Sequence, residues 1–176
     1  KIPKDKIAVV PDGFQDLAPF ASAAPPIDEA DKPYFFFAGK VKPRKNVHGI
    51  ISAFIRFKKR TGAPCKLLIA GSARGRYYEQ MRRDLEDNGL QGEVSFVGYV
   101  TSPHLYALYT NALACVYPSL NEGFGMPILE AMSLGTPVIT SKISSMVEVA
   151  GGAALLVDPF DVEDISRAME KMYNDP

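Results

Sequence analysis

This 176-residue sequence has only two cysteines, two histidines and no net charge. Each scarcity narrows what the chain can be. Cys65 and Cys115 lie far apart, beside or within apolar runs, so they read as buried free thiols of a reducing compartment and not as a metal site. His48 falls on a basic helix and His104 in a first helical turn, each without a partner constellation. They read as surface residues, and no catalytic base is assigned from this chain. No apolar run reaches the ~18 residues of a membrane span. Residues 1–10 are too short and too interrupted by charge for a signal peptide. These two points lead to an expectation of a soluble, cytoplasmic protein.

Two nucleotide-binding signatures are also missing. The GSARG loop from Gly71 to Gly75 is not a G-x-G-x-x-G fingerprint, and no acid follows the second strand at a ribose-reading position. No G-x-x-x-x-G-K-[ST] loop occurs. Dinucleotide-dependent and kinase-like chemistry both lose support. Nucleic acid is not an expected partner, because no binding motif accompanies the basic residues.

Zero net charge conceals a division. Residues 1–83 carry 17 Lys/Arg against 7 Asp/Glu, whereas residues 84–176 carry 3 against 13. Solvated helix faces account for Arg56, Lys58, Lys59 and Arg60. The excess could also serve an anionic ligand or rest on an anionic membrane surface.

Residues 1–33 read as a linker with a lead-in strand at Ile7–Val10, a turn at Pro11-Asp12-Gly13 and an Ala/Pro-rich tract. From Tyr34 strands and helices alternate to the end, giving one domain over 34–176. Tyr34–Ala38, Lys66–Ala70, Val94–Val97, Ala114–Tyr117, Val138–Thr140 and Ala154–Val157 are short apolar strands. Between the first two, Asn46 is placed to cap a helix whose Val47, Ile50, Ile51, Phe54 and Ile55 share one face. Further helices are expected at Tyr77–Asn88, from Ser102 to about Tyr109, after Pro127, near Met146–Val149, and after a capping Asp161. Six such strands imply an α/β fold: a doubly wound, Rossmann-like parallel sheet with helices on both faces.

In such a sheet, ligands bind outside the carboxyl ends of the strands. That rule gathers Gly39-Lys40, Gly71-Ser72, Gly98-Tyr99-Val100 and Pro118–Gly125 on one edge. The stretch YPSLNEGFGMPILEAMSLGTP, Tyr117–Pro137, supplies a strand end, a glycine-bearing loop and a helix N-terminus, where unpaired amides and the helix dipole suit a phosphate. Gly123, Phe124, Gly125, Met126 and Ile128 can offer amides; Pro127 cannot. In GKVKPRKN, Gly39–Asn46, Lys40 and Lys45 can meet a diphosphate as point charges, with Lys42 and Arg44 expected to face solvent. Glu122 and Glu130 bracket the anion site, and acids beside a phosphate make better sense as acceptors for sugar hydroxyls.

Glu122 to Glu130, E-GFGMPIL-E, resembles the Glu-seven-residues-Glu motif of retaining glycosyltransferases, particularly family 4. EAMSLGTPVITS and VEVAGGAALLVDP resemble the continuation of that family, and the likeness runs from Val9 to Asp161. It implies the C-terminal, donor-binding half of a GT-B architecture, with the acceptor-binding N-terminal domain outside this chain, so that the chain alone is expected to be inactive. By resemblance Glu122 is the catalytic residue, binding donor-sugar hydroxyls and helping to stabilise the reacting sugar. Glu130 takes the ribose hydroxyls, Lys40 and Lys45 the diphosphate, and Gly71, Tyr99 and Val100 line the nucleotide site. Lys40 stands where the family usually has Arg, and Asp12 where it has Asn. The implied donor is a UDP-, GDP- or ADP-linked sugar, with no cofactor and no metal. The implied acceptor is a glycan or lipid-linked sugar, the activity that of a hexosyltransferase such as a mannosyltransferase, with the whole enzyme peripheral on the inner membrane face. An epimerase or phosphorylase of the same architecture, or a non-catalytic nucleotide-sugar-binding module, are the alternatives.

Overall fold

The computed structural model describes residues 3–8, 10, 12–28 and 31–175. Six parallel strands, β1 Tyr34–Ala38, β2 Lys66–Ala70, β3 Val94–Gly98, β4 Ala114–Tyr117, β5 Val138–Ser141 and β6 Leu155–Val157, form a single sheet in the order β3-β2-β1-β4-β5-β6. The helices are α1 Val47–Thr61, α2 Arg76–Asp87, α3 Ser102–Thr110, α4 Met126–Ser133, α5 Met146–Ala150 and α6 Val162–Asn174. This is the doubly wound, Rossmann-like arrangement expected from the alternating pattern.

β1 is central, and all five of its residues are buried. A strand covered on both faces has no reason to alternate polar with apolar, hence the run YFFFA. Its side chains still point alternately. Phe35 packs edge-on against Phe57 of α1, and Phe57 in turn against Tyr173 of α6. Phe36 meets Tyr109 of α3 at 4.9 Å between ring centroids. Helices therefore cover opposite faces, with α1 and α6 on one and α3 on the other. The cysteines are free and buried in this core, as expected.

The charge division turns out to be partly internal. Arg60 on α1 contacts Glu163 at 2.8 Å and Glu170 at 2.6 Å on α6 and reaches Ser166; Lys58 pairs with Glu93 at 3.1 Å. The expectation that these basic residues are merely solvated is corrected for Lys58 and Arg60, which pair with acids of the second half, whereas Lys59 is exposed.

Two further expectations change. Asn46 makes no side-chain capping hydrogen bond to α1; it holds a left-handed backbone, φ 56°, and gives its amide to carbonyls outside the helix. Asp161, by contrast, does cap α6, accepting from the amides of Glu163 and Asp164. In the lead-in, Lys4–Lys6 form a 3-10 turn, and Ile7, Ala8 and Val10 belong to no strand; Val9 and Pro11 lie outside the described residues. Another 3-10 stretch, Ala18–Ala23, follows Leu17, which is fully buried, and Gln15 bonds Ser102 at 3.1 Å. Part of the lead-in is thus packed onto the domain.

Candidate functional site

The strand order reverses direction between β1 and β4. Their following loops leave toward opposite sides of the sheet, opening a crevice at the carboxyl edge. Here the chain ties its loops together. The Leu120 amide donates to the Arg44 carbonyl at 2.8 Å. The Asn46 side-chain amide donates to the carbonyls of Pro118, at 3.1 Å, and Pro159, at 2.7 Å, so the loops after β1, β4 and β6 share one anchor.

Inside this crevice sits Glu122. Its side chain is only 7% exposed, yet each carboxylate oxygen is taken. Arg44 Nη1 lies 2.7 Å from Oε2 and Lys45 Nζ 2.6 Å from Oε1. The Tyr117 hydroxyl, at the buried end of β4, donates to Oε1 at 3.1 Å and itself receives a hydrogen bond from Lys45. Burial alone pushes the Glu122 pKa upward, but hydrogen bonds from Lys45 and Arg44 outweigh it and hold the carboxyl below its ordinary value. The buried Ser119 hydroxyl meets no partner at hydrogen-bonding geometry.

Arg44 therefore does not simply face solvent, as the sequence led us to expect. More than half exposed, it still spends its guanidinium on Glu122 and on the Asn121 carbonyl. Arg44 and Tyr117 are the residues that sequence reasoning missed. Tyr117 carried a signal: a hydroxyl-bearing ring ending an otherwise apolar strand, immediately before the loop.

The loop from Glu122 to Gly125 is pinned from one side. Ser145 Oγ shares its single proton between the carbonyls of Glu122, at 3.0 Å, and Phe124, at 2.7 Å, and Ser144 Oγ reaches the Glu122 carbonyl at 3.1 Å. Among the described residues, the amides of Gly123, Phe124, Gly125 and Met126 donate to no protein group. Ile128 was expected among these donors, but its amide closes the first turn on the Gly125 carbonyl at 2.9 Å. Gly125 enters α4 at φ 126°, a backbone that side-chain-bearing residues rarely adopt.

Glu130 lies one helix turn deeper. Tyr109 donates its hydroxyl to Oε2 at 3.0 Å. Partial burial raises the Glu130 pKa, and the Tyr109 bond only partly opposes it. The two glutamates thus have opposite environments: Glu122 caged by cations, Glu130 beside a phenol.

The remaining expected residues meet in a cavity of about 280 Å³. Lys40, Gly71, Tyr99 and Val100 line it together with Gly39, Ser72 and Leu105. Gly71 is required here, because a Cβ on it would lie 2.0 Å from the Gly39 carbonyl oxygen. Tyr99 is 92% exposed, its ring standing free at the rim. A larger hollow between α1 and α2 is lined by His48, Gln80 and Asp84. His48 is not partnerless, since its Nε2 lies 2.8 Å from Asp84. Among the described residues no group of three His, Cys, Asp or Glu side chains could hold a metal ion, and no helix is long and apolar enough to cross a membrane.

The switch point of this Rossmann-like α/β sheet thus brings together free amides, cations and two carboxylates. The chain belongs to the glycosyl transferases group 1 family, which it matches over residues 22–176. It is 40% identical over 133 residues to O-antigen chain mannosyltransferase B of Escherichia coli, covering 76% of this chain and 35% of that protein. It is 36% identical over 143 residues to O-antigen chain mannosyltransferase RfbU of Salmonella typhimurium, covering 81% and 39%. Among solved structures, Anabaena HepE in complex with UDP and glucose superposes with a TM-score of 0.73 at 21% identity, over 82% of this chain and 40% of that one. The chain thus spans well under half the length of these relatives.

Proposed function

We propose that this chain is the donor-binding half of a retaining glycosyltransferase that transfers a hexose, mannose being favoured, from a nucleoside diphosphate sugar. The observation that carries the reading is the head of α4. Four unpartnered amides and a helix N-terminus stand in one loop with Glu122, across the crevice from Lys45. The names of the relatives, two O-antigen mannosyltransferases and a structure holding UDP and glucose, support the same reading.

In this proposal the diphosphate lies against the amides of Gly123, Phe124, Gly125 and Met126, with Lys40 and Lys45 as point charges. These groups stabilise negative charge on the departing diphosphate without having to reorganise. The nucleobase enters the cavity walled by Gly71, Tyr99 and Val100, and Glu130 accepts the ribose hydroxyls through the oxygen that Tyr109 leaves free. Glu122 accepts donor-sugar hydroxyls and stabilises positive charge as the glycosidic bond breaks. The acceptor, a glycan or lipid-linked sugar, is bound by a domain outside this chain. Transfer therefore requires that domain, because it places the acceptor hydroxyl and excludes water.

Calorimetry with UDP-, GDP- and ADP-sugars tests the reading. One base series should bind at roughly 10 µM to 1 mM, about −7 to −4 kcal/mol, with the corresponding nucleoside much weaker. Absence of binding across all three series would refute it. Strong transfer by the 176-residue chain alone would refute the divided-enzyme part.

A further inference from the structure

Glu122 occupies a position that should attract an anion from outside. Arg44 and Lys45 converge on it from the loop after β1, at 2.7 and 2.6 Å, while the Tyr117 hydroxyl supports Oε1 from below. Lys45 is nearly buried, with its side chain 13% exposed and its ammonium 4.9 Å from the centroid of the Tyr117 ring. Two adjacent cations, one of them largely removed from water, would repel each other without a counter-charge. In the free protein that counter-charge is a carboxylate carried on the same loop as the unpartnered α4 amides.

We propose that Arg44 and Lys45 form a two-cation cradle for the donor diphosphate, that Glu122 fills this cradle as an internal anion in the free protein, and that the diphosphate displaces it. The inference rests on the nucleotide-sugar reading above and extends it in two ways. Arg44 becomes a ligand-binding residue, and Glu122 becomes a competitor of the diphosphate before it becomes a partner of the sugar. A diphosphate carries more negative charge and more acceptor oxygens than one carboxylate, so it can take over both cations. Once displaced, the Glu122 carboxylate regains the oxygens now held by Arg44, Lys45 and Tyr117. Both then become available to sugar hydroxyls. A diphosphate alone must break the internal contacts without that return, whereas a complete sugar donor recovers it. Discrimination between the sugar nucleotide and the bare diphosphate is thereby built into one ion-pair exchange.

The test is calorimetric titration of the 176-residue chain with inorganic pyrophosphate at low salt, which probes the cations without base or sugar. Glu122→Gln keeps the shape and loses the internal charge, and should bind pyrophosphate about tenfold tighter than wild type. Arg44→Ala, at an exposed position that should not endanger folding, should bind it at least threefold more weakly, by about one lost charged contact. If Glu122→Gln binds pyrophosphate with unchanged or lower affinity while wild type binds it, displacement is wrong and the nucleotide-sugar reading stands. Unchanged affinity in Arg44→Ala removes Arg44 from the cradle, whatever Glu122→Gln does. If neither wild type nor Glu122→Gln binds pyrophosphate, the cradle is wrong, and the nucleotide-sugar reading is decided separately by the sugar-nucleotide titrations.

Discussion

Replacing Asn46 tests how the crevice is held open. This residue takes a left-handed backbone and donates to the carbonyls of Pro118 and Pro159, both in buried residues of other loops. Asn46→Ala removes two hydrogen bonds worth about 1 kcal/mol each and places a Cβ-bearing residue without a compensating side chain in the left-handed region, for about another 1 kcal/mol. The sum, about 3 kcal/mol, corresponds to a fall in Tm of about 6–12 °C for a chain of this size. A second substitution sharpens the test. A Cβ on Gly49 would lie 2.4 Å from Asn46 Oδ1, so Gly49→Ala must push the Asn46 side chain off its two carbonyls. In wild type Gly49→Ala should therefore destabilise by about 2 kcal/mol, although alanine is the better helix former. In the Asn46→Ala background the clash is gone, and the same change should stabilise by about 0.5–1 kcal/mol. Urea unfolding of the four proteins forms a double-mutant cycle. Additive effects, or Gly49→Ala destabilising both backgrounds equally, would refute the anchoring role of Asn46.

The two glutamates should titrate stability in opposite senses. Glu122 has its folded pKa below the ordinary 4.5, so its contribution is present above that value and lost as pH falls through the lower folded value. Glu130 has its folded pKa raised above 4.5, so its contribution is present below that value and lost as pH rises through the raised one. Glu122→Gln should flatten the acid limb of the stability curve and Glu130→Gln the limb above 4.5; parallel curves for either variant would contradict the assigned environment. On the ligand side, Glu130→Gln should erase most of the preference for a ribonucleotide over its 2′-deoxy counterpart, as measured by calorimetry. Arg60→Ala should destabilise by about 1 kcal/mol at low salt and less at 1 M NaCl, because its partners on α6 are only partly screened from water; a salt-independent loss would point to packing instead. Burial raises the Cys65 thiol to about 12 and pushes Cys115 up as well, so neither should react with a thiol reagent at about pH 8 until the chain unfolds.

The architecture was legible because strands buried on both faces leave uninterrupted apolar runs, and Tyr34–Ala38 and Ala114–Tyr117 stand out by composition alone. The edge that carries the site was legible too, since parallel topology sends every strand end to one side. Pairing across the crevice was not. Nothing in GKVKPRKN says that Arg44 and Lys45 close on a carboxylate 78 and 77 positions away, because that contact exists only once β4 lies beside β1. Asn46 misled for a related reason. Its residue type suits a helix cap, but tertiary carbonyls from two distant loops compete for its amide and win. The charge division between the halves looked like a surface property because periodicity places α1 cations on a helix face without naming the acidic helix that covers it.

A crystal structure of the chain with GDP-mannose, or with whichever sugar nucleotide binds in calorimetry, decides where the donor lies. The diphosphate should lie between Lys45 and the amides of Gly123–Met126, the base in the cavity beside Tyr99 and Val100, and the Glu122 carboxylate should be turned from Arg44 to the sugar hydroxyls. Phosphates bound away from the head of α4, with the Arg44–Glu122–Lys45 cluster undisturbed, would contradict it.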